Sequence, residues 1–157
     1  MKEQSIRLQV QCERWRESEE GKECHKQRRS LPIAQMEESL KATMINEQVA
    51  IVCGETGSGK STQVPQMLLE HALASGKGGP TNILCTQPRR IAATSLARRV
   101  ASERGEKVGE GMVGYQVRLE SKRNNNTRLL FCTTGIALRM MLSGIPLSLS
   151  LSRSTFR

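Results

Sequence analysis

The sequence predicts an α/β protein, a parallel β-sheet covered by helices on both faces. Three observations lead there. Short apolar runs alternate with stretches of helical spacing, the order that a parallel sheet with crossover helices requires. The runs are almost continuously apolar, as strands buried on both faces are. A glycine-rich loop, Gly54-Glu55-Thr56-Gly57-Ser58-Gly59, joins one such run to a helix.

Each element has its own local reason. Residues 1–30 carry eight basic and six acidic side chains, with Trp15 as the one large anchor. They read as a charged N-terminal extension, either a solvated helix or a disordered arm. Leu31-Pro32 breaks the pattern, and proline suits the first turn of a helix. Ile33, Met36, Leu40 and Met44 then recur at helical spacing, which predicts a helix that packs on the sheet and ends near Asn46. Val49-Ala50-Ile51-Val52-Cys53 predicts a first strand over 48–53. Lys60 to Ala74 has helical spacing. Ser75 to Pro80 is a loop by composition. Asn82 to Thr86 is a second strand. Pro88 opens a long helix to about Gly105, with Ala93, Leu96, Ala97, Val100 and Ala101 on one face. Val113 to Leu119 is a strand, Asn124-Asn125-Asn126 a turn and Leu129 to Cys132 another strand. Thr133 can cap a helix to about Leu142. In residues 145–157 Leu and Ser alternate, which fits an edge strand or low-complexity filler.

Composition narrows the class. The 157 residues suit one domain with ragged ends, long enough for a real core. One Trp, one Tyr and two Phe make an aliphatic core the expectation. No apolar run approaches the about 18 residues of a membrane helix. The charged start has no signal-peptide apolar region. Five cysteines without C-x-x-C spacing point to reduced thiols inside a cell, cytoplasmic or nuclear. Cys53, Cys85 and Cys132 each end a predicted strand and read as small buried packing residues. Cys12, Cys24 and His25 are metal-ligand types, but no fourth ligand stands at a usual spacing.

Charge is uneven. Residues 88–157 hold thirteen basic and four acidic side chains, while residues 31–87 hold three and five. A basic block of this kind fits a polyanion such as nucleic acid, or more plainly a solvated basic face. Every acidic side chain is glutamate; the sequence contains no aspartate.

Residues 54–61 fit the phosphate-binding pattern G-x-x-x-x-G-K-[ST]. Gly57 and Gly59 let the backbone curl with N–H groups pointing inward, so a phosphate can sit among them at a positive helix end. Lys60 would reach the β- and γ-phosphates, and the Ser61 hydroxyl would take one place on Mg²⁺. A chance glycine turn is the plain alternative.

The neighbouring motifs narrow this further. GETGSGKSTQVPQ at 54–66 is followed by TQPRRIAATSLARRVASERG at 86–105, VGYQVRLES at 113–121 and TRLLFCTTGIALRM at 127–140. Together they resemble the first RecA-like domain of DEAH-box (DExH) ATP-dependent RNA helicases, over about residues 28–144. Arg28-Arg29-Ser30-Leu31-Pro32-Ile33 matches the family's lead-in, and the Thr133-Thr134-Gly135 form looks closer to the branch with the RNA helicase A-like and G-quadruplex-resolving members than to the splicing branch. The resemblance implies a P-loop NTPase, RecA-like fold. It implies that Gly54, Glu55, Thr56, Gly57, Ser58, Gly59, Lys60, Ser61 and Thr62 form motif I and hold ATP and Mg²⁺, with Lys60 catalytic. It implies that Arg99 stacks on the nucleotide base, so that other NTPs are accepted. Thr86, Gln87, Pro88, Arg89 and Arg90 correspond to motif Ia, and Thr133, Thr134 and Gly135 to motif Ib; both grip single-stranded RNA by its backbone. Arg89 and Arg90 fit that role on chemistry alone, at a strand-to-helix junction where α/β proteins bind ligands. Arg98 reads as an exposed helix residue.

The sequence also departs from the family. After motif Ib a DEAH helicase continues to a strand carrying the D-E-x-H box, which holds Mg²⁺ and polarises the attacking water. Here a Leu/Ser tail follows Gly144, and the S-A-T motif and second RecA-like domain are not in the sequence. The expected organisation is an extension over 1–30, a partial RecA-like ATP-binding domain over 31–144 and a non-family tail over 145–157, a truncated product or an alternative end. The function expected is the ATP-binding half of an RNA helicase. The alternative is a nucleotide- and RNA-binding fragment without turnover. Another P-loop ATPase, such as a secretion motor, fits less well, because TQPRR and CTTG stand at the helicase distances.

Overall fold

The computed structural model describes residues 2–143 and the backbone of Leu149–Ser152. Gly144, the expected domain boundary, and residues 145–148 and 153–157 of the Leu/Ser segment lie outside the described residues. The helices are α1 (Lys2–Glu17), α2 (Glu19–Arg29), α3 (Glu37–Asn46), α4 (Lys60–Ala74), α5 (Arg90–Glu103) and α6 (Thr134–Leu142), with a 3₁₀ turn over Pro32–Met36. The strands are β1 (Ile83–Gln87), β2 (Val113–Val117), β3 (Glu120–Lys122), β4 (Leu129–Thr133) and β5 (Leu149–Ser152).

The sheet runs β3-β2-β4-β1-β5. β2, β4, β1 and β5 are parallel, and β3 turns back antiparallel on β2. The sheet is therefore mixed, where an all-parallel one was expected. Arg118-Leu119 make the connecting turn, and only the second of the two, Leu119, takes a positive φ, 67°. β3, Glu-Ser-Lys, is exposed on every residue and so lacks the apolar signal that marks the other strands.

Strand residues divide by the period of two. Ile83, Cys85, Val113, Tyr115, Val117, Leu129 and Phe131 face α5, with Leu69 and Leu73 of α4 and Leu8 of α1 completing that core. Leu84, Leu130 and Cys132 face Ala137 and Met140 of α6 on the other side. The sheet thus has helices on both faces. Tyr115 and Phe131 are fully buried at its centre, so the core is not purely aliphatic as the composition implied.

α4 and α5 stop in the same way. Gly76 and Gly105 take positive φ of 71° and 64°. The next residues, Lys77 and Glu106, donate N–H back to Ala72 and Ala101 at 2.9 Å, satisfying carbonyls that the helix end leaves open. Thr133 stands at the N-terminus of α6, but its side chain makes no cap hydrogen bond.

The strand expected over 48–53 does not form. Val49 and Ile51 are each 81% exposed. β5, not this run, lies along β1, and residues 48–53 pair with no strand of the sheet. Cys53 is accordingly exposed, not buried, whereas Cys85 and Cys132 are buried as expected. The 33–46 segment is a 3₁₀ turn followed by α3, ending at Asn46. It packs on Val64 and Met67 of α4 through Ile33 and Leu40, not on the sheet, and Met36 is exposed.

Residues 2–29 form a helical hairpin docked on the core. Leu8 enters the main cluster, and Ser18 caps α2 by accepting the N–H of Gly21 at 3.0 Å. Glu70 of α4 receives Arg28 at 3.0 Å and Arg104 at 3.6 Å, with Arg16 also on it. Trp15 donates its indole N–H to the carbonyl of Glu103 at 3.3 Å.

Candidate nucleotide and nucleic-acid site

The glycine loop leads directly into α4. Gly57 and Gly59 have φ of 89° and 95°, values open to glycine and strained for other residues. Gly59 is the residue before the helix, and a Cβ there would also press on Leu31, Ile33 and Gln63 at 3.0–3.1 Å. The N–H of Ile33 donates to Ser58 at 3.2 Å, which ties the loop to the 3₁₀ turn. Lys60 folds back over the loop and donates from Nζ to the carbonyls of Gly54 and Glu55, the latter at 2.6 Å, and to Ser58 Oγ at 3.1 Å. Gly54 to Gly57 are exposed, and Ser58 to Thr62 half-buried. Thr62 is turned inward on itself, its hydroxyl donating to the carbonyl of Gly59 at 3.2 Å.

A second group gathers at the carboxyl end of the sheet. Gln87 and Thr133 are direct partners across β1 and β4. Each strand then passes straight into a helix, so Arg89 and Arg90 open α5 beside Thr134 and Gly135 opening α6. Arg89, Arg90, Thr134 and Gly135 are exposed, and a Cβ on Gly135 would meet nothing within 4 Å. Gln87 differs: it is 4% exposed, and its Oε1 is buried without a hydrogen-bond partner. The expected contact residues are therefore neighbours in space, with Gln87 recessed behind the arginines.

Arg99 reaches the start of α4 through one carboxylate. Its Nε donates to Glu103 Oε1 at 2.9 Å, and Glu103 Oε2 receives the amides of Gln63 at 2.9 Å and Gln66 at 2.7 Å. Arg28 donates to the other side of Gln63 at 2.7 Å. Burial pushes the Glu103 carboxyl up, but the hydrogen bonds from Gln63, Arg99 and Gln66 outweigh it and hold its pKa below the ordinary value. Arg99 itself is exposed and held at one edge only.

Glu103, Gln63 and Gln66 escaped the sequence reading. Their signals were present: two glutamines three apart beside the apolar residues of α4, and an arginine four residues before a glutamate on α5. Cys12 and Cys24 are engaged elsewhere, Cys12 accepting from Arg104 and Cys24 donating to the carbonyl of Glu103. Among the described residues no cluster of three His, Cys, Asp or Glu could hold a metal ion. No helix among them is long and apolar enough to cross a membrane.

Known proteins resemble this chain in sequence. The chain is 49% identical over 138 residues to the DExH-box ATP-dependent RNA helicase DExH1 of Arabidopsis thaliana, covering 88% of this chain and 14% of that protein. It is 46% identical over 142 residues to DExH3 of the same plant, covering 90% and 12%. It is 50% identical over 121 residues to the ATP-dependent RNA helicase DHX29 of Mus musculus, covering 74% and 9%. The chain thus spans about a seventh or less of the length of these relatives. No protein-family model matches it.

Proposed function

The chain belongs by sequence to the DExH-box ATP-dependent RNA helicases, and we propose that it is the segment of such a helicase that holds the nucleotide and grips single-stranded RNA. In this reading residues 31–144 are part of a first RecA-like, P-loop domain, residues 1–30 its helical brace and residues 145–157 a non-family tail, in an intracellular protein.

The observation that carries the reading is Lys60 at the first position of α4, turned back over a loop whose two left-handed glycines precede it. A triphosphate fits there. The first N–H groups of a helix are open to an anion, and Lys60 lies over the loop that leads into this one. A phosphate would take the Lys60 ammonium from the carbonyls of Gly54 and Glu55, exchanging partial negative charges for full ones. Magnesium fits less completely. Ser61 supplies one hydroxyl, and the phosphates and water would supply the remaining oxygens, a usual arrangement for this ion. When bound, the metal would neutralise charge on the β- and γ-phosphates. Arg99, fixed to the Gln63 turn of α4 through Glu103, supports a place for it on the nucleotide side. Gln87, Arg89, Arg90, Thr133, Thr134 and Gly135 would contact phosphates and sugars, which carry no base information.

One observation favours binding without turnover by these 157 residues. The strand that follows α6 contributes only Leu and Ser, and the sequence has no aspartate. The reading is tested by titrating a fluorescent ATP analogue against the chain and against Lys60→Ala. Binding that depends on Lys60 supports it; equal affinities remove the nucleotide assignment.

A further inference from the structure

Among the described residues two arginines are buried, Arg104 at 5% exposure and Arg128 at 8%. Arg104 is matched: Glu70 and Glu106 lie at 3.6 and 3.4 Å. Arg128 pairs with no carboxylate among the described residues. Its Nη1 donates to the carbonyls of Asn125 and Thr127 at 3.1 and 2.9 Å, and its Nε is buried without a partner. Burial pulls its pKa down from the ordinary value, with no neighbouring charge to oppose it. A guanidinium withdrawn from water without an anion is costly, because a lost hydration shell is replaced only by two carbonyl dipoles.

Arg128 lines a cavity of about 370 Å³ at the amino ends of β1 and β4, the opposite end of the sheet from Gln87 and Thr133. Arg123, Asn124 and Asn125 line it together with Leu130 and Met140. Arg123 and Asn125 are exposed, and no residue of the lining is acidic. Two guanidinium groups and no carboxylate give this recess a net positive charge.

We infer that this cavity binds an oxyanion of the phosphate class, with Arg128 as the buried counter-charge and Arg123 as the outer clamp. Guanidinium suits this chemistry because its planar N–H edge matches two oxygens at once. The phosphate has two sources, a free phosphorylated small molecule or the backbone of a nucleic acid passing this end of the sheet. Neither source involves the glycine loop, so the inference stands apart from the nucleotide reading.

The test uses the full chain carrying Lys60→Ala, so that phosphate on the glycine loop does not contribute. The Nε–H resonance of Arg128 is followed by ¹H–¹⁵N NMR at constant ionic strength. Inorganic phosphate is titrated in one arm, a short single-stranded oligouridylate in another and chloride in a third. A saturable shift with phosphate, weakened about tenfold by Arg123→Glu, is expected, a decrease typical of removing one charged hydrogen bond. Arg123 is exposed, so this variant keeps the fold that replacing Arg128 would put at risk. Saturation by inorganic phosphate identifies a free ligand, and saturation by the oligonucleotide at far lower concentration identifies nucleic acid. No shift in either arm, an equal shift with chloride, or an Arg123→Glu chain that binds as before overturns the inference.

Discussion

Gln63 of α4 and Glu103 of α5 meet at 2.9 Å, so the turn that follows Lys60 and the helix that follows Arg89 share one carboxylate. Glu103→Gln should lower stability at pH 7 by about 1–3 kcal/mol, because a buried acceptor of three donors becomes partly a donor itself. The folded-state pKa of Glu103 lies below its ordinary value of 4.5. Its contribution is therefore present above pH 4.5 and is lost as pH falls through the lowered folded value. Urea melts of both chains at pH 7 and pH 3 should show a gap that narrows on acidification. A gap of constant size would mean that Glu103 acts by packing and not by charge.

Gly105 and Gly76 end two helices with the same backbone sign but in different surroundings. A Cβ on Gly76 meets nothing within 4 Å, whereas one on Gly105 would lie 2.3 Å from the Trp15 ring. Gly76→Ala should cost about 1–2 kcal/mol from the left-handed backbone alone. Gly105→Ala should cost more and red-shift the fluorescence of the single tryptophan as the α1–α2 hairpin lifts. Equal costs and an unmoved spectrum would remove Trp15 from its seat.

The legible parts of this fold were those decided locally. Ala93, Ala97, Val100 and Ala101 mark one face of α5, and all four are buried. The glycine loop and its lysine announce the turn into α4. What escaped reading depended on partners distant in sequence. Val49 to Cys53 has strand composition, but a strand exists only where another strand pairs with it, and it is β5 that pairs with β1. Residues 2–29 look like a solvated arm because their anchors are sparse; Leu8, Trp15 and Arg28 dock only because Leu69, Glu103 and Glu70 await them. The partners of Glu103, Gln63 and Gln66, stand 40 and 37 positions before it.

RNA binding by Arg89 and Arg90 should be indifferent to sequence and steep in salt. Each arginine that no longer reaches a phosphate of the single strand should reduce the log–log salt slope by about 0.7. Affinities of Arg90→Ala and the parent chain for unrelated single strands, measured over a salt series, check this. Strong preference for one sequence, or an unchanged slope, would count against a backbone grip.

These 157 residues alone should not hydrolyse ATP measurably, with or without RNA. Phosphoryl transfer is chiefly positioning and charge stabilisation. The glycine loop offers one lysine and one hydroxyl, while an arginine finger from a facing domain is worth roughly 10³–10⁵ in rate. A phosphate-release assay with Lys60→Ala as contamination control settles it. RNA-stimulated release that vanishes in that variant would show that a glutamate, or a second copy of the chain, completes the site.

The docked hairpin has a consequence for synthesis. Arg28 meets Glu70 across 42 positions, Trp15 meets Glu103 across 88 and Gln4 meets Asn126 across 122. A ribosome adding roughly 5–20 residues per second needs several seconds to supply those partners. A lone helix of this length is marginal in water and relaxes within about a microsecond. The hairpin is thus translated before its partners and secured after them, and until Glu103 has emerged, Leu8 and Trp15 stand open to chaperones and to neighbouring nascent chains.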